Sequence, residues 1–309
     1  MRRLRLPPCA FLLVALLAAP GSAGDAADAS PAAELPTQLA GLGLDASEVR
    51  AWNQGLALEG EERLDEAVAV YAELARAHPS STFLAWRVAR NHWRRGERLP
   101  VDAKAERRSA YGESLEWADR AVSLDPECGE CVFWKMAAMG RLATTVGVID
   151  SAQMAPQIAA LIDRGIELRP TYSDNAWNHT LANLYFASSA FYRITPDWFW
   201  LEWALGVRGD KDRALGYIER ALEIAPMRVD YTLEYGVLLT CIGTERGDET
   251  VLARGRAELR KVREMPRIMF TDEIDQKNAG VVLGRPELAC GYSRDGFVDF
   301  SDVQRAGTF

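Results

Sequence analysis

The sequence predicts an all-α solenoid of about five helical hairpins, with insertions and a C-terminal capping helix. Three observations predict it. Four runs of helix-forming residues each end in a proline, at Pro79, Pro126, Pro170 and Pro226. Counted back from each proline, small or apolar residues recur five, eight and twelve positions earlier: Leu74, Tyr71 and Ala67 in the first run, and Ala221, Ile218 and Ala214 in the fourth. Upstream of the first run, Gly55 stands twelve residues before Ala67, where a preceding helix needs a small residue at its closest approach. A proline cannot continue a helix, so each one ends a unit and turns the chain.

Taken in chain order, the first element is a targeting segment, residues 1–23. Arg2, Arg3 and Arg5 precede an uninterrupted apolar run from Ala10 to Ala19, and Gly21, Ser22 and Ala23 supply small residues for cleavage. The run is too short to span a membrane and reads as a cleaved secretory signal, giving a periplasmic or secreted protein. A mitochondrial presequence would be amphipathic, and this segment is apolar all round. Cleavage removes three arginines and no acids, taking the formal net charge from −8 to about −11. So acidic a chain is a poor partner for nucleic acid.

Residues 24–46, rich in Ala, Asp, Pro and Gly, read as a linker, and 47–283 as the repeat domain. Ser47 to Ser80 forms a nearly complete first unit. A degenerate fifth unit runs from Val229 to Pro266, with Gly236 in the first-helix position. Thr271 to Leu283 reads as the capping helix, offering Ile274, Ala279, Val281 and Val282 to the last open face. Residues 284–309 form a polar tail.

The proline-terminated pattern resembles the second helix of a tetratricopeptide repeat (TPR), so the fold implied is a TPR-like α-solenoid. The spacings of 47, 44 and 56 residues between the prolines exceed the usual 34, which implies insertions. From Asp125 to Leu283 the chain further resembles the T component associated with TRAP transporters, a family of exported bacterial TPR proteins. The resemblance is carried by Val132-Phe-Trp-Lys-Met, Ile158 to Pro170, Tyr172-Ser-Asp-Asn-Ala-Trp-Asn-His-Thr-Leu-Ala-Asn-Leu-Tyr, Gly209-Asp-Lys-Asp-Arg-Ala-Leu and Asp272-Glu-Ile-Asp-Gln-Lys-Asn-Ala. Regulators of microtubule dynamics, which are eukaryotic TPR proteins, are similar over the same stretch, particularly at the apolar insertion Trp198 to Val207. The T-component resemblance implies a protein partner in a solute-uptake system, such as a periplasmic solute-binding protein, and a hydrophobic small molecule held or passed by the aromatic unit. No lipid-accepting cysteine follows the signal, since Cys9 precedes the apolar run, which argues against membrane tethering. The export signal argues against a microtubule role. A homo-oligomer is compatible with the sequence.

The candidate binding residues lie in that aromatic unit: Tyr185, Phe186, Phe191, Tyr192, Trp198, Phe199, Trp200 and Trp203. Thr195-Pro196-Asp197 reads as a helix start, with a capping hydroxyl and an early proline. Glu202 is the one charge from Trp198 to Val207, so the helix that follows is apolar nearly all round. Such a helix is either core or a surface for a lipid, a ligand or another protein, and both readings stand.

Four cysteines remain after cleavage, enough for two disulfides. Cys128-Gly-Glu-Cys131 is compatible with a local structural disulfide, with inert thiols, or with a redox pair at a helix N-terminus. The strand that precedes a thioredoxin-type pair is missing, so catalysis by it is the alternative and not the leading function. Cys241 and Cys290 come singly. His78, His92 and His179 have no ligand spacing, so no metal or other cofactor is expected.

Other patterns carry no chemistry. Gly291-Tyr-Ser-Arg-Asp-Gly296 is one residue too long for a nucleophile elbow, and Asp295, Asp299 and Asp302 fit no calcium loop. Asn178-His-Thr180 is a formal glycosylation sequon within an expected helix, and Arg254 to Arg263 is a solvated basic face. No set of residues assembles a nucleophile, a base and an orienting group. The sequence therefore reads as a non-enzymatic binding scaffold.

Overall fold

The computed structural model describes residues 35–174 and 178–297, with the side chains of Val148 and Trp200 excepted. The signal, most of the linker and the end of the tail, with Asp299 and Asp302, lie outside the described residues. A short helix α1 (Thr37–Ala40) leads into a stack of five hairpins. These are α2 (Ala46–Gly60) with α3 (Leu64–Ala77), α4 (Thr82–Arg98) with α5 (Lys104–Leu124), and α6 (Gly129–Ala143) with α7 (Val148–Leu168). Next, α8 (Thr180–Ile194) pairs with α10 (Lys211–Ile224) across an inserted α9 (Phe199–Leu205), and α11 (Val229–Arg246) pairs with α12 (Glu249–Glu264). A final α13 (Asp272–Gly284) follows. The tail then makes one 3₁₀ turn (Pro286–Leu288) and a small hairpin of β1 (Tyr292–Ser293) and β2 (Gly296–Phe297). No helix among the described residues is long and apolar enough to cross a membrane.

The prolines set the period as expected. Each second helix stops two residues before one: Ala77 before Pro79, Leu124 before Pro126, Leu168 before Pro170, Ile224 before Pro226 and Glu264 before Pro266. The ring of each proline disfavours the helical region for the residue ahead of it, and that residue becomes the cap.

The recurring positions are the contacts inside and between hairpins. Ala67, Tyr71 and Leu74, then Ser114, Ala118 and Ala121, then Ala214, Ile218 and Ala221, are all buried. Gly55 is needed by Tyr71, because a Cβ on it would come within 2.6 Å of the tyrosine ring. The fifth unit keeps the pattern in a different register. On α12, besides Leu252, the buried residues are Gly255, Leu259 and Val262, eleven, seven and four before Pro266, whereas Arg254, Glu258 and Lys261 occupy the expected positions and are not buried. That one-residue slip rotates the apolar stripe by about 100° around α12, which is why the unit reads as degenerate.

The lengthened units are explained by longer helices and two irregular segments. α5 and α7 each have 21 residues, against 14 for α3 and α10. The fourth unit adds a loop before α8 and the α9 insertion. Two local expectations fail here. Thr195 closes α8 instead of opening α9: its hydroxyl donates to the Phe191 carbonyl at 2.7 Å, and Asp197 is committed to Arg208. α9 thus begins later, at Phe199, with no side-chain cap. The asparagine of the sequon also lies outside a helix: Asn178 and His179 precede α8, which opens at Thr180, and His179 bridges to Ser173.

The apolar core runs from Leu39 through the successive hairpins to Ile242. A second cluster joins α11, α12 and α13 to the tail through Leu233, Leu259, Val282 and Tyr292. On α13, Ala279 and Val282 are buried, whereas Ile274 and Val281 remain partly exposed. Both cysteine pairs are disulfides. Cys128–Cys131 closes the start of α6, and Cys241–Cys290 ties the tail to α11.

Candidate functional site

The first helices of the hairpins (α2, α4, α6, α8 and α11) share one face, and α13 takes the same position at the end of the stack. Stacked hairpins of this kind present such a face to partners. Here it is laced with buried charge. Arg87 on α4 makes a two-pronged contact to Glu59 on α2, at 2.9 and 2.5 Å, and its remaining nitrogen donates to Tyr172 and Asp174 from the loop before α8. Arg90 pairs with the same Asp174. Arg193 on α8 grips Glu234 on α11 at 2.7 and 2.9 Å and donates to the carbonyls of Ala289 and Cys290 in the tail.

Further along, the tail hairpin turns on Arg294 and Asp295. The Arg294 guanidinium faces Asp275 at 3.2 Å, Asp230 at 3.5 Å and Glu97 at 3.9 Å. The Asp295 carboxylate accepts from Arg141 at 2.8 Å, Arg107 at 3.0 Å and the Thr144 hydroxyl at 3.1 Å. Burial alone would raise the Asp295 carboxyl, but Arg141 and Arg107 outweigh it and hold the group at about 2. Burial wins at Asp275, which is pushed up to about 6 despite Arg294. Apart from the adjacent Arg294 and Asp295, these residues stand far apart in sequence, and no local pattern joins them. One hint was available: Asp230 and Glu234 interrupt the otherwise uncharged first turns of the apolar α11.

The seven aromatic candidates whose side chains are described do not converge on one site. Tyr185 and Tyr192 on α8 are buried and pack around Tyr217 of α10, each with ring centres 6.0 Å from it. Phe186 stacks on Tyr231, and Phe191 packs edge-on against Tyr192. Trp198 is half-buried, and the side chain of Trp200 lies outside the described residues. On α9, Leu201 points inward. Phe199 and Trp203, four residues apart on one side of the helix, are 78 % and 88 % exposed. The expected all-round apolar helix is therefore two-sided, and its outer side carries two uncovered aromatic rings.

The Cys128–Cys131 bond borders a cavity of about 450 Å³ that is also lined by Ser81, Trp86, Glu130, Arg169 and Tyr172. Cys128 is the N-cap of α6 and accepts from the Cys131 amide at 3.1 Å, while Cys131 is fully buried. Glu130 accepts from the Thr171 and Tyr172 amides, which fastens this helix start to the loop after Pro170. A second cavity of about 450 Å³ lies between Leu115, Met139 and Met154. None of the seven aromatic candidates with described side chains lines either cavity. Cys241, Glu245 and Cys290 lie close enough to share a metal ion, but the two sulfurs are bonded to each other and Glu245 faces Lys211 at 3.1 Å.

A family model described as Regulator of microtubule dynamics protein 1-3 matches residues 53–194, just under half of the chain. Among solved structures, the chain is similar to TTC0263, a thermophilic TPR protein of Thermus thermophilus. The two share 14 % identity with a TM-score of 0.51, over 76 % of this chain and 99 % of that one. No curated protein matches the chain. On its helical hairpins, its proline-set period and these likenesses, the chain is a tetratricopeptide-like helical repeat protein.

Proposed function

We propose that this protein is an exported, non-catalytic scaffold that docks a protein partner through the outer side of α9, as an accessory component of a TRAP-type solute-uptake system. The TPR-like fold supports the coarse reading, because such stacks serve protein interaction. One observation carries the finer one. Phe199 and Trp203 leave most of their surface in water on a seven-residue helix, and large aromatic rings are the usual anchors of protein interfaces. The aromatic residues of α8 belong to the core and border neither cavity, so a docked protein accounts for the unit better than a hydrophobic small molecule in a lined pocket. The T-component resemblance makes a periplasmic solute-binding protein the partner of choice. The matching family is one of regulators of microtubule dynamics, a role an exported chain would not meet.

The test is the double variant Phe199→Ser, Trp203→Ser, with co-purification of the partner as readout. It should lose the partner while keeping wild-type helical content and melting temperature. An unchanged yield of partner from a folded variant refutes α9 as the docking surface.

A second reading is favoured by one feature: Cys128 borders a cavity at a helix N-terminus, with Cys131 buried behind it. In this reading a partner dithiol is oxidised to a disulfide as Cys128–Cys131 is reduced to two thiols. Replacing both cysteines with serine decides it, since unchanged thiol oxidation in the cell envelope eliminates the redox role.

A further inference from the structure

The charges around the tail hairpin form two neighbouring subsites of opposite sign, and one turn of the chain fills both. The acidic subsite combines Glu97 at the end of α4, Asp230 at the start of α11 and Asp275 on α13, with side chains 3 %, 5 % and 0 % exposed. The basic subsite combines Arg107 on α5, Arg141 on α6 and the Thr144 hydroxyl just beyond it. Glu97 and Arg141 pair with each other and mark the boundary between the two, and Arg228 shares Asp230. The other buried carboxylate, Asp275, has Arg294 as its cation, and Arg107 has Asp295 as its anion. Emptied, the face would leave Asp275 and Arg107 without their counter-ions, which is unfavourable wherever they stay shielded from water. The site thus calls for an arginine and an aspartate held side by side.

The tail meets that demand in the manner of a ligand. Tyr292 pairs with Phe297 and Ser293 with Gly296, so the hairpin satisfies its own main chain. Among the described hydrogen bonds, residues 293–296 reach the helices through the side chains of Arg294 and Asp295 alone. The base of the tail is anchored separately, by the Cys241–Cys290 disulfide and by Arg193 on the carbonyls of Ala289 and Cys290. Tyr292 and Phe297 at the ends of the hairpin pack in the second apolar cluster, so the part held by charge alone is the turn from Ser293 to Gly296.

We propose that the first-helix face carries a recognition site for an Arg-Asp turn, kept filled in cis by Arg294 and Asp295. The partner it fits presents an arginine followed by an aspartate at the tip of a tight turn, and binds by displacing the chain's own copy. Tethering places that copy at an effective concentration of about 1 mM, so a free peptide competes poorly until the cis copy is weakened.

The test uses the full chain and a fluorescein-labelled cyclic peptide with the sequence of residues 291–297, followed by anisotropy. The variant Arg294→Ala, Asp295→Ala should bind this peptide at least about tenfold more tightly than wild type, and should ignore a control with the two charges reversed in order. A folded variant that binds neither peptide, or both alike, overturns the proposal. Should the variant fail to fold, hydrogen exchange on wild type decides instead. Excess Arg-Asp peptide must speed exchange of the amides from Tyr292 to Phe297 relative to the reversed peptide, and equal rates overturn the site.

Discussion

At the scale of single residues, the stack depends on where a side chain is forbidden as much as on where one is present. Gly55 and Gly216 make the contrast measurable. Both lie within helices, and alanine has the better helix propensity by about 1 kcal/mol. At Gly216 nothing stands within 4 Å of an added Cβ, so Gly216→Ala should raise stability by about 0.5–1 kcal/mol. At Gly55 the added carbon would meet the buried Tyr71 ring, and Gly55→Ala should lower stability by about 1–3 kcal/mol. Urea unfolding of both variants checks the opposite signs. His92 offers a second test, in pH. Burial, with Arg95 beside it, pushes the imidazole from 6.5 down to about 4. The unfolded chain takes up that proton near pH 6.5 and the folded chain only near pH 4. The stability contributed by the neutral ring is thus complete above about 6.5 and is lost as the pH falls through 4. His92→Gln should lose less stability than wild type between pH 7 and pH 4.5, and equal losses would remove His92 from the acid response. Asp275 works with the opposite sign over the same range, because its folded value of about 6 lies above its ordinary one.

At the scale of elements, how much was legible followed from the range of the interaction. The ends of the second helices were readable because a proline acts on its immediate neighbour. The buried positions of the first four units were readable because one helix presents them at fixed spacing. The fifth unit was not, since its stripe slipped by one residue and Gly255 took over the small position. The start of α9 was misread for a similar reason: a threonine before a proline suits a helix start, yet Thr195 found the Phe191 carbonyl first. The Cys241–Cys290 bond joins positions 49 residues apart, and nothing local announces it. Its loop is much longer than that of Cys128–Cys131, whose cysteines are 3 apart. In the chain-entropy account, opening it should cost about 2–4 kcal/mol, against a smaller loss for the other pair. Denaturant melts of Cys241→Ser, Cys290→Ser and of Cys128→Ser, Cys131→Ser would rank the two, and the reverse order would contradict that account.

At the scale of the whole molecule, period and composition announced an all-helical repeat stack, and the structure is one. The site was less legible. The aromatic cluster of the fourth unit was visible in sequence, but its division into a core half on α8 and an exposed pair on α9 depends on which neighbours cover each ring. The charged cluster was barely legible beyond Asp230 and Glu234, because Glu97, Arg107, Arg141, Asp230, Asp275, Arg294 and Asp295 meet only after the hairpins have stacked. The exposed pair carries the docking proposal, and the charged cluster under the tail carries the recognition proposal.

The most direct measurement is site-specific photocrosslinking in the producing cell, with a benzophenone amino acid at position 203 and, as control, at the exposed Lys277. The account predicts one discrete adduct with another protein from position 203 and none from position 277. No adduct at 203, or the same adducts at both positions, would contradict α9 as the docking surface.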